Sequence, residues 1–325
     1  MALTLPPPVD ELQRAVATLR AGGLVAFATE TVYGLGADAR NEAAVRRLFA
    51  LKGRPSTHPV IVHLHDAEQM REWVSQVPPV AQRLAGAFWP GPLTLVLPRA
   101  PGVSDVITGG QDTVALRVPV HPLARELLAA FGGGIVAPSA NRYGHISPTS
   151  AAHVRAEFGD AVQVLDGGDC EVGLESTIVS CLQGRVQLLR PGGISLSQLR
   201  AVVGEVDAAG DEDAPRVPGS TLQHYAPRTA LRLVEDHALV QAVASLRAQG
   251  ARVGVLARSA APVEVQTTLW LQAPATAAAF GHDLYANLRQ LDESGCTQLL
   301  AVAAPAGDAW DAVRDRLSRA ATTAC

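Results

Sequence analysis

Short apolar runs that end in glycines and small polar residues alternate with helical patterns along this chain of 325 residues. Leu24–Phe27 is followed by a segment, 29–36, that holds three hydroxyl side chains, a carboxylate and two glycines. Ile135–Pro138 is followed in the same way by the small polar segment 139–141. In an α/β sheet, ligands bind outside the carboxyl ends of strands, where such residues supply donors and a closely approachable backbone. The pattern therefore predicts an α/β fold with a ligand crevice, although ordinary strand-to-helix turns would look the same.

The composition divides the chain into two α/β domains joined by a linker. Residues 204–227 are rich in Asp, Glu, Pro and Gly, which is typical of linkers. After them, strands and helices alternate again, which predicts a smaller, mostly parallel, Rossmann-like domain. We therefore expect domains at 1–204 and 229–325 and a linker at 205–228. The C-terminal strands are predicted at 231–234, 253–256, 263–271 and 299–303.

Capping residues predict where two N-terminal helices begin or end. Asn41 is a typical N-cap, and Gly53 is a typical left-handed residue after the end of the same helix. Lys52 then lies in the last turn, where the helix dipole favours a cation. Thr149 is predicted to cap the helix that runs through Val154.

Lys52 is the single lysine among 27 basic residues. Its ammonium is a compact charge that fits beside one phosphate or carboxylate oxygen, whereas a guanidinium is a wide planar fork. Arg54, His58 and His63 follow closely, and such a cluster favours an anion site. A simple helix-end cation would explain Lys52 but not these neighbours. For His63 alone, a structural role is as plausible as a functional one.

Arg117 interrupts an otherwise apolar strand at 114–118. An arginine in this setting is almost never buried without an anionic partner. The sequence leaves open whether that partner is a protein carboxylate or a ligand.

The linker contains one unusual segment, 218–227, in which His224 and Tyr225 lie between prolines. The segment is stiffer and more aromatic than a spacer requires. We predict that it lies over a cleft as a lid.

Charge and cysteine content exclude several classes of protein. The formal charge of −4 and the pI near 6.1 argue against indiscriminate binding of polyanions. The four cysteines have neither disulfide nor metal-ligand spacing, which fits a reducing cytoplasm. The N-terminus has no basic segment followed by an apolar one, and no run approaches the roughly 18 apolar residues of a membrane helix. We therefore expect a cytoplasmic protein without an export signal or a membrane span.

Eight segments with distinctive composition occur in order. They are TETVYGLGA (29–37), LKGRP with HPVIVH (51–63), WPGPLTLVL (89–97), DTVALRVP (112–119), APSAN (137–141), SPT (147–149), GLESTIV (173–179) and LRPGGI (189–194). Together with HYAP (224–227), they resemble the YrdC-like family in its two-domain form. The resemblance implies a twisted YrdC-like α/β N-terminal domain. The C-terminal domain resembles the family only in position, size and pattern.

The resemblance also implies an activity. Two-domain members are nucleotidyltransferases that make threonylcarbamoyl-AMP and pyrophosphate from L-threonine, bicarbonate and ATP. The product serves tRNA modification by a downstream tRNA threonylcarbamoyltransferase machinery. Such chemistry relies on orientation and charge stabilisation, so it needs fixed cations, hydroxyls and Mg²⁺ carried by ATP, but no organic cofactor. No P-loop sequence occurs, and the overall acidity disfavours direct tRNA binding.

The family motifs imply roles for individual residues. The catalytic residues would be Lys52 and Arg54. The ATP-binding residues would be Lys52, Arg54, Ser56, Thr113, Ser139, Asn141, Ser147, Arg190, His224 and Tyr225. The threonine-binding residues would be Thr29, His63, Arg117, Ala137 and Ser176, with Arg117 as a bidentate clamp for the carboxylate. No protein side chain is implied as a metal ligand.

Ala28, Val60 and the stretch Ser220–Gln223 depart from the family pattern, and Val60 in place of leucine changes only packing. Ala28 stands where proline is usual, and Ser220–Gln223 replaces a stretch of the Met-Lys-Tyr-Lys type. The linker therefore lacks the lysine and the additional tyrosine that are usual before HYAP.

Two other functions are compatible with the resemblance. Some single-domain relatives are credited with binding double-stranded RNA through a basic concavity, but this chain is acidic and lacks an aromatic and basic strip. Other relatives process carbamoyl phosphate, but those usually carry acylphosphatase-like or zinc-finger segments, and this sequence has neither.

Overall fold

The computed structural model describes residues 9–207, 214–219, 224–265 and 269–321. The chain forms two compact units. The first comprises Met1–Tyr143 and Pro148–Ser220, and the second comprises Gly144–Ser147 and Thr221–Cys325. A four-residue loop in the middle of the N-terminal sequence therefore clusters with the C-terminal part of the chain. Of the helices that the structure describes, none combines the length and the apolar character needed to cross a membrane.

The first unit is an α/β structure, as predicted. Its helices are α1 (Val9–Arg20), α2 (Glu42–Lys52), α3 (Pro79–Phe88), α4 (Asp105–Thr108), α5 (Pro122–Phe131), α6 (Ala151–Phe158) and α7 (Leu196–Val203). Its strands are β1 (Val25–Phe27), β2 (Gly34–Asp38), β3 (Ile61–His63), β4 (Leu93–Pro98), β5 (Thr113–Arg117), β6 (Ile135–Val136), β7 (Gln163–Leu165), β8 (Thr177–Leu182) and β9 (Arg185–Arg190). Short 3₁₀ helices lie at Glu68–Glu72 and Gly159–Ala161.

These strands form one mixed sheet in the order β7-β1-β2-β6-β3-β5-β4-β8-β9. The pairs β1–β7, β3–β5 and β4–β8 are parallel, and the other neighbours are antiparallel. The register of β3 and β5 places His63 opposite Arg117.

The two faces of the sheet have different neighbours. On β3, Val62 belongs to the large apolar core, whereas Ile61 belongs to a small cluster that also contains Ala115 of β5. Because side chains alternate along a strand, His63 and Arg117 project from the same face as Ile61 and Ala115. Candidate site residues therefore lie on the face with the smaller apolar cluster.

The helix ends follow local side-chain chemistry. The Asn41 side chain accepts the Ala44 N–H, and Gly53 adopts the left-handed conformation with φ of 65°, so both predictions for α2 are confirmed. The predicted cap of α6 was wrong, because Ser150 rather than Thr149 is the N-cap and accepts the His153 N–H. Two adjacent hydroxyl residues compete for this position, and the sequence alone does not separate them.

The second unit contains a smaller sheet. Its strands are β10 (Leu231–Val234), β11 (Val253–Ala257), β12 (Leu269–Gln272) and β13 (Gln298–Val302), and its helices are α8 (Leu239–Ala248), α9 (Ala277–Glu293) and α10 (Asp311–Ala320). The order is β10-β13-β11-β12 with every pair parallel, which confirms the predicted parallel domain. The strand predicted at 263–271 was wrong in its first part, because Val263–Val265 forms a 3₁₀ turn directly after Pro262.

Candidate active site

Lys52, the last residue of α2, is bonded to the loop that follows β6. Its Nζ donates to the backbone carbonyl of Ser139 at 2.5 Å and to that of Asn141, and only 3% of the residue is exposed. Burial, and then the neighbouring Arg54 guanidinium, hold the pKa of Lys52 well below its ordinary value. An ammonium has three N–H donors, so one remains after these two bonds. A phosphate that accepted this third bond would raise the pKa of Lys52 again.

Arg54 lies just beyond α2, in a group of cationic and aromatic side chains. One terminal nitrogen donates to the Pro59 carbonyl at 2.7 Å, and the guanidinium lies 5.9 Å from the ring centroid of Tyr143. The Tyr143 hydroxyl lies 3.1 Å from Nδ1 of His58. Burial, followed by the charges of Arg54 and Arg216, lowers the pKa of His58. Positive charge therefore accumulates here, which suits a polyanionic ligand.

Arg190, the last residue of β9, contacts Ser176 directly. Its Nε and Nη2 donate to the Ser176 carbonyl at 3.2 and 2.9 Å, and Nη2 also lies 3.2 Å from Ser176 Oγ. The Ser176 hydroxyl lies 2.8 Å from Oγ1 of Thr94 in β4. All three residues are buried. A predicted nucleotide residue and a predicted threonine residue are thus joined by hydrogen bonds.

The turn after β9 fixes the peptide that carries Ser176. A Cβ at Gly192 would lie 2.3 Å from the Thr177 nitrogen and 2.4 Å from the Glu175 carbonyl oxygen, so a side chain at this position would collide with backbone. Thr177 Oγ1 donates to the Ile194 carbonyl at 2.6 Å and accepts the Ile194 N–H at 2.8 Å. The motifs GLESTIV and LRPGGI therefore pack against each other.

Arg117, at the end of β5, is paired with Glu30. Its Nη2 donates to Glu30 Oε1 at 2.6 Å, and only 4% and 3% of the two side chains are exposed. Its Nη1 donates to Thr31 Oγ1 at 2.8 Å, and its Nε donates to the Gly91 carbonyl at 3.3 Å. The partner that the sequence left open is thus a protein carboxylate. That Arg117 also clamps the carboxylate of threonine stays a prediction.

His63 is the register partner of Arg117 and is buried beside it. Its Nδ1 has no hydrogen-bond partner in the described part of the chain. Burial, and then the positive charge of Arg117, lower the pKa of His63 to about 3. The Ile61 backbone acts in the opposite direction but more weakly, so the imidazole is neutral near pH 7.

Thr29 and Ala137 lie beside these residues. Thr29 Oγ1 lies 2.8 Å from Thr31 Oγ1, which accepts the hydrogen bond from Arg117. The Ala137 nitrogen donates to the carbonyl of Ile61, two residues before His63. Thr29 is therefore bonded to the Arg117 group, whereas Ala137 is bonded to the strand that carries His63.

Part of the predicted linker, 214–219, packs on the same sheet face within the first unit. Val217 is buried in the small apolar cluster. The backbone nitrogen of Arg216 donates to Gln111 Oε1 at 2.7 Å, and the Pro218 carbonyl accepts a bond of 2.9 Å from Arg190 Nη1. The atypical stretch Ser220–Gln223 lies outside the described residues.

The other predicted nucleotide residues are dispersed. Ser56 is exposed in the turn after α2, and Thr113 is half-buried at the start of β5. Ser147, His224 and Tyr225 are buried and belong to the second unit. In that unit the rings of Tyr225 and Tyr285 lie 5.8 Å apart, and the Arg316 guanidinium lies 5.1 Å from the Tyr225 ring. Their contacts with ATP stay predictions.

No individual role was predicted for Glu30, Thr31 or Thr94, although Glu30 and Thr31 lie in the segment 29–36 that predicts a ligand crevice. Thr94 had a visible signal, because it interrupts the apolar strand 93–97 just as Arg117 interrupts its own strand. Glu30 and Thr31 had none beyond their position in the TET motif, since only the fold brings them to Arg117.

The arrangement suits charge stabilisation and orientation rather than covalent catalysis. Burial raises the pKa of the Cys170 thiol, and it raises that of Cys181 to about 12, so neither cysteine is a ready thiolate nucleophile. Within the described ranges, no cluster of three or more His, Cys, Asp or Glu side chains is placed to hold a metal ion. A surface cavity of about 740 Å³ in the first unit is lined by Ser75, Arg99, Asp105 and neighbouring residues, and by none of the predicted site residues.

Comparisons with known proteins show which family the chain is similar to. The Sua5/YciO/YrdC family model, described as "Telomere recombination", matches residues 17–192, and the model "Threonylcarbamoyl-AMP synthase, C-terminal domain" matches residues 194–322. The threonylcarbamoyl-AMP synthase of Pyrococcus abyssi is 38% identical over 95% of this chain and 94% of its own length. That of Bacillus subtilis is 38% identical over 96% of this chain and 93% of its own length. A crystal structure of P. abyssi Sua5 complexed with L-threonine has a TM-score of 0.90 at 36% identity, and the match covers 97% of this chain and 96% of that chain.

Proposed function

Because the chain belongs to the threonylcarbamoyl-AMP synthase family, we propose that it converts L-threonine, bicarbonate and ATP into threonylcarbamoyl-AMP and pyrophosphate. The observation that carries the proposal is the contact between Arg190 and Ser176. It joins a residue proposed for the nucleotide to a residue proposed for the amino acid. A synthase that couples the two substrates needs them side by side.

The reaction has two steps. The threonine amino nitrogen forms a bond to the carbon of bicarbonate, and the bond from that carbon to its hydroxyl breaks. The hydroxyl takes one proton from the nitrogen and leaves as water, which gives a carbamate. A carbamate oxygen then bonds to the α-phosphorus of ATP, the bond from that phosphorus to the bridging oxygen breaks, and pyrophosphate leaves. Neither step requires a protein nucleophile.

Lys52 and Arg54 are proposed to neutralise the phosphates. The third donor of Lys52 is the one that its bonds to Ser139 and Asn141 leave over. Mg²⁺ is proposed to arrive with ATP as part of the substrate and to neutralise charge on the leaving pyrophosphate. The group around Arg54 adds a second positive charge near the same loop.

The threonine half is proposed to lie beside Arg117 and His63. Arg117 would bind the carboxylate through two N–H groups. The neutral His63 would offer its Nδ1 to a polar group of the amino acid, since that atom lacks a partner in the described structure. The rest of the proposed threonine site would be formed by Thr29, Ala137 and Ser176.

The product is proposed to supply a separate tRNA-modifying enzyme system, because a mixed carbamic–phosphoric anhydride is an activated donor that another acceptor must consume. We propose a cytoplasmic location, consistent with the three cysteines that the structure describes, at positions 170, 181 and 296, none of which forms a disulfide.

The test measures pyrophosphate release by the full chain. The complete mixture should release pyrophosphate, and omission of L-threonine or the use of carbon-dioxide-free buffer should each abolish release. D-threonine, which presents its groups with the wrong hand, is the matched control and should not support it. If pyrophosphate release persisted when L-threonine or bicarbonate was omitted, the chain would simply hydrolyse ATP, and the proposal would be refuted.

A further inference from the structure

Glu30 and Arg117 form a buried ion pair on the sheet face that carries the candidate site. The bond between Arg117 Nη2 and Glu30 Oε1 is 2.6 Å long. The other carboxylate oxygen, Oε2, accepts the backbone N–H of Val120 at 3.2 Å. Both Glu30 oxygens are therefore used, and each holds a different element of the chain.

The guanidinium is held on three sides. It donates to Glu30, to Thr31 Oγ1 and to the Gly91 carbonyl. A guanidinium has five N–H donors, so two remain after these three bonds. A fixed guanidinium with two remaining donors matches a carboxylate ligand, which accepts two parallel bonds.

A second observation also indicates a ligand here. His63 lies opposite Arg117 in the register and is 2% exposed, and its Nδ1 has no hydrogen-bond partner among the described residues. A buried polar atom without a partner is costly unless a ligand or water satisfies it. The side chains of Arg117, with its unused donors, and of His63 are therefore neighbours on one sheet face.

We propose that Glu30 is a positioning residue for the amino acid substrate: it fixes the Arg117 guanidinium so that the two remaining donors receive the substrate carboxylate. This inference rests on the proposed function. Glu30 itself does not touch the substrate. Its effect is to remove the need for Arg117 to become ordered when the amino acid binds.

A competing arrangement predicts the opposite sign. If Glu30 merely occupied Arg117 until the substrate displaced it, then removal of its charge would free the guanidinium and tighten binding of L-threonine. If Glu30 positions Arg117, removal of its charge loosens the guanidinium and weakens binding. The direction of the change in KM therefore distinguishes the two.

Glu30→Gln is the sharpest variant. A glutamine replaces one carboxylate oxygen with an NH2 group that only donates, so one of the N–H groups of Arg117 and Val120 would face a donor. We expect the KM for L-threonine to rise about tenfold to a hundredfold, which corresponds to the loss of a charged hydrogen bond. The KM for ATP should change less than about twofold, because Glu30 orders only the amino acid side. Glu72→Gln, which removes an exposed carboxylate paired with Arg40 at 2.8 Å, is the matched control and should match the parent in both constants.

Binding without turnover supplies a second readout. The full chain and Glu30→Gln are titrated calorimetrically with L-threonine and with L-threoninamide, which lacks the carboxylate. The parent should prefer L-threonine, and this preference should collapse in Glu30→Gln, whereas the amide should bind both proteins equally. An unchanged preference in a folded variant, or a lower KM for L-threonine, would overturn the inference.

Thr31→Val provides a milder probe if Glu30→Gln fails to fold. It removes the acceptor of Arg117 Nη1 while it keeps the branched shape, and it should raise the KM for L-threonine in the same direction but by less. An unchanged KM would overturn the inference. If the parent chain releases no pyrophosphate in response to L-threonine, the proposed function itself fails, and that outcome is visible before any variant is made.

Discussion

The Lys52 ammonium donates a hydrogen bond of 2.5 Å to the Ser139 carbonyl, which ties the end of α2 to the loop after β6. The same nitrogen bonds the Asn141 carbonyl. The lysine therefore orders the loop that carries two proposed nucleotide contacts, and it also supplies a charge. Lys52 therefore has both a structural role and a proposed chemical role.

Lys52→Met should abolish most of the synthase activity. The change removes the charge and the side-chain donor to the Ser139 and Asn141 carbonyls, so we expect a loss of about a hundredfold or more in kcat/KM for ATP and about 1–3 kcal/mol in stability. Arg46→Met, on the same helix but 61% exposed at its side chain, is the control and should be nearly silent in both measurements. Steady-state kinetics and urea unfolding decide, and a fully active Lys52→Met would remove the lysine from the mechanism.

The sequence identified Lys52 but could not identify its partners. Its rarity and its place at a helix end are visible in the residues, whereas its acceptors are backbone carbonyls, which every residue has. Arg117 shows the same limit, because the sequence required an anionic partner without naming it. Glu30 lies 87 positions earlier, and only the fold brings the two together.

Local predictions succeeded where one residue had one chemical role and failed where neighbours competed. Asn41 begins α2 and Gly53 ends it as predicted. Ser150 displaced Thr149 as the cap of α6. At Val263–Val265, β-branched residues suggested a strand, but a turn begins at Pro262, whose carbonyl accepts the Val265 N–H.

Gly192→Ala should impair activity by moving Ser176. The new Cβ would lie 2.3 Å from the Thr177 nitrogen, and backbone must shift to admit it. We expect a loss of at least about tenfold in kcat/KM for L-threonine, since small displacements in a site are expensive. Gly86→Ala is the control, because a Cβ there meets nothing within 4 Å. Equal activity of the two variants in pyrophosphate release would show that the turn after β9 is not needed to place Ser176.

The contributions of Arg190 and Ser176 to activity should be coupled. Arg190→Ala and Ser176→Ala both remove the bond between Arg190 Nη2 and Ser176 Oγ, so the double variant should lose less than the sum of the single losses, by about 1–2 kcal/mol. The control cycle pairs Arg190→Ala with Arg46→Ala, which alters an exposed residue of α2 that is paired with Glu42, and it should be additive. If the losses in kcat/KM were additive in both cycles, Arg190 and Ser176 would contribute to activity independently.

His63 should make stability depend on pH. Its pKa is lowered to about 3 in the folded chain, against an unfolded value of about 6.5. Below pH 6.5 a proton binds His63 in the unfolded chain but not in the folded chain. The free energy of unfolding should therefore fall by up to about 1.4 kcal/mol per pH unit until the pH approaches the folded pKa. His63→Asn should remove this contribution, and the exposed His237→Asn should leave it unchanged. Urea unfolding at pH 7, 6 and 5 measures it, and identical slopes for the parent and His63→Asn would contradict the assignment.

Asp292 should stabilise the second unit in its charged form. It accepts the backbone N–H groups of Arg228 and Thr229 at 3.1 and 2.7 Å and the Arg228 side chain at 3.2 Å. Burial acts to raise the pKa of Asp292, but these hydrogen bonds outweigh it and lower the pKa. The stabilisation is therefore complete above the unfolded value near 4 and disappears as the pH falls through the lower folded value. Asp292→Asn should cost about 1–2 kcal/mol at pH 7, and the difference from the parent should shrink towards pH 3. Glu293→Gln, the exposed neighbour at the end of α9, should show no such convergence, and a pH-independent loss in Asp292→Asn would mean that shape rather than charge holds this contact.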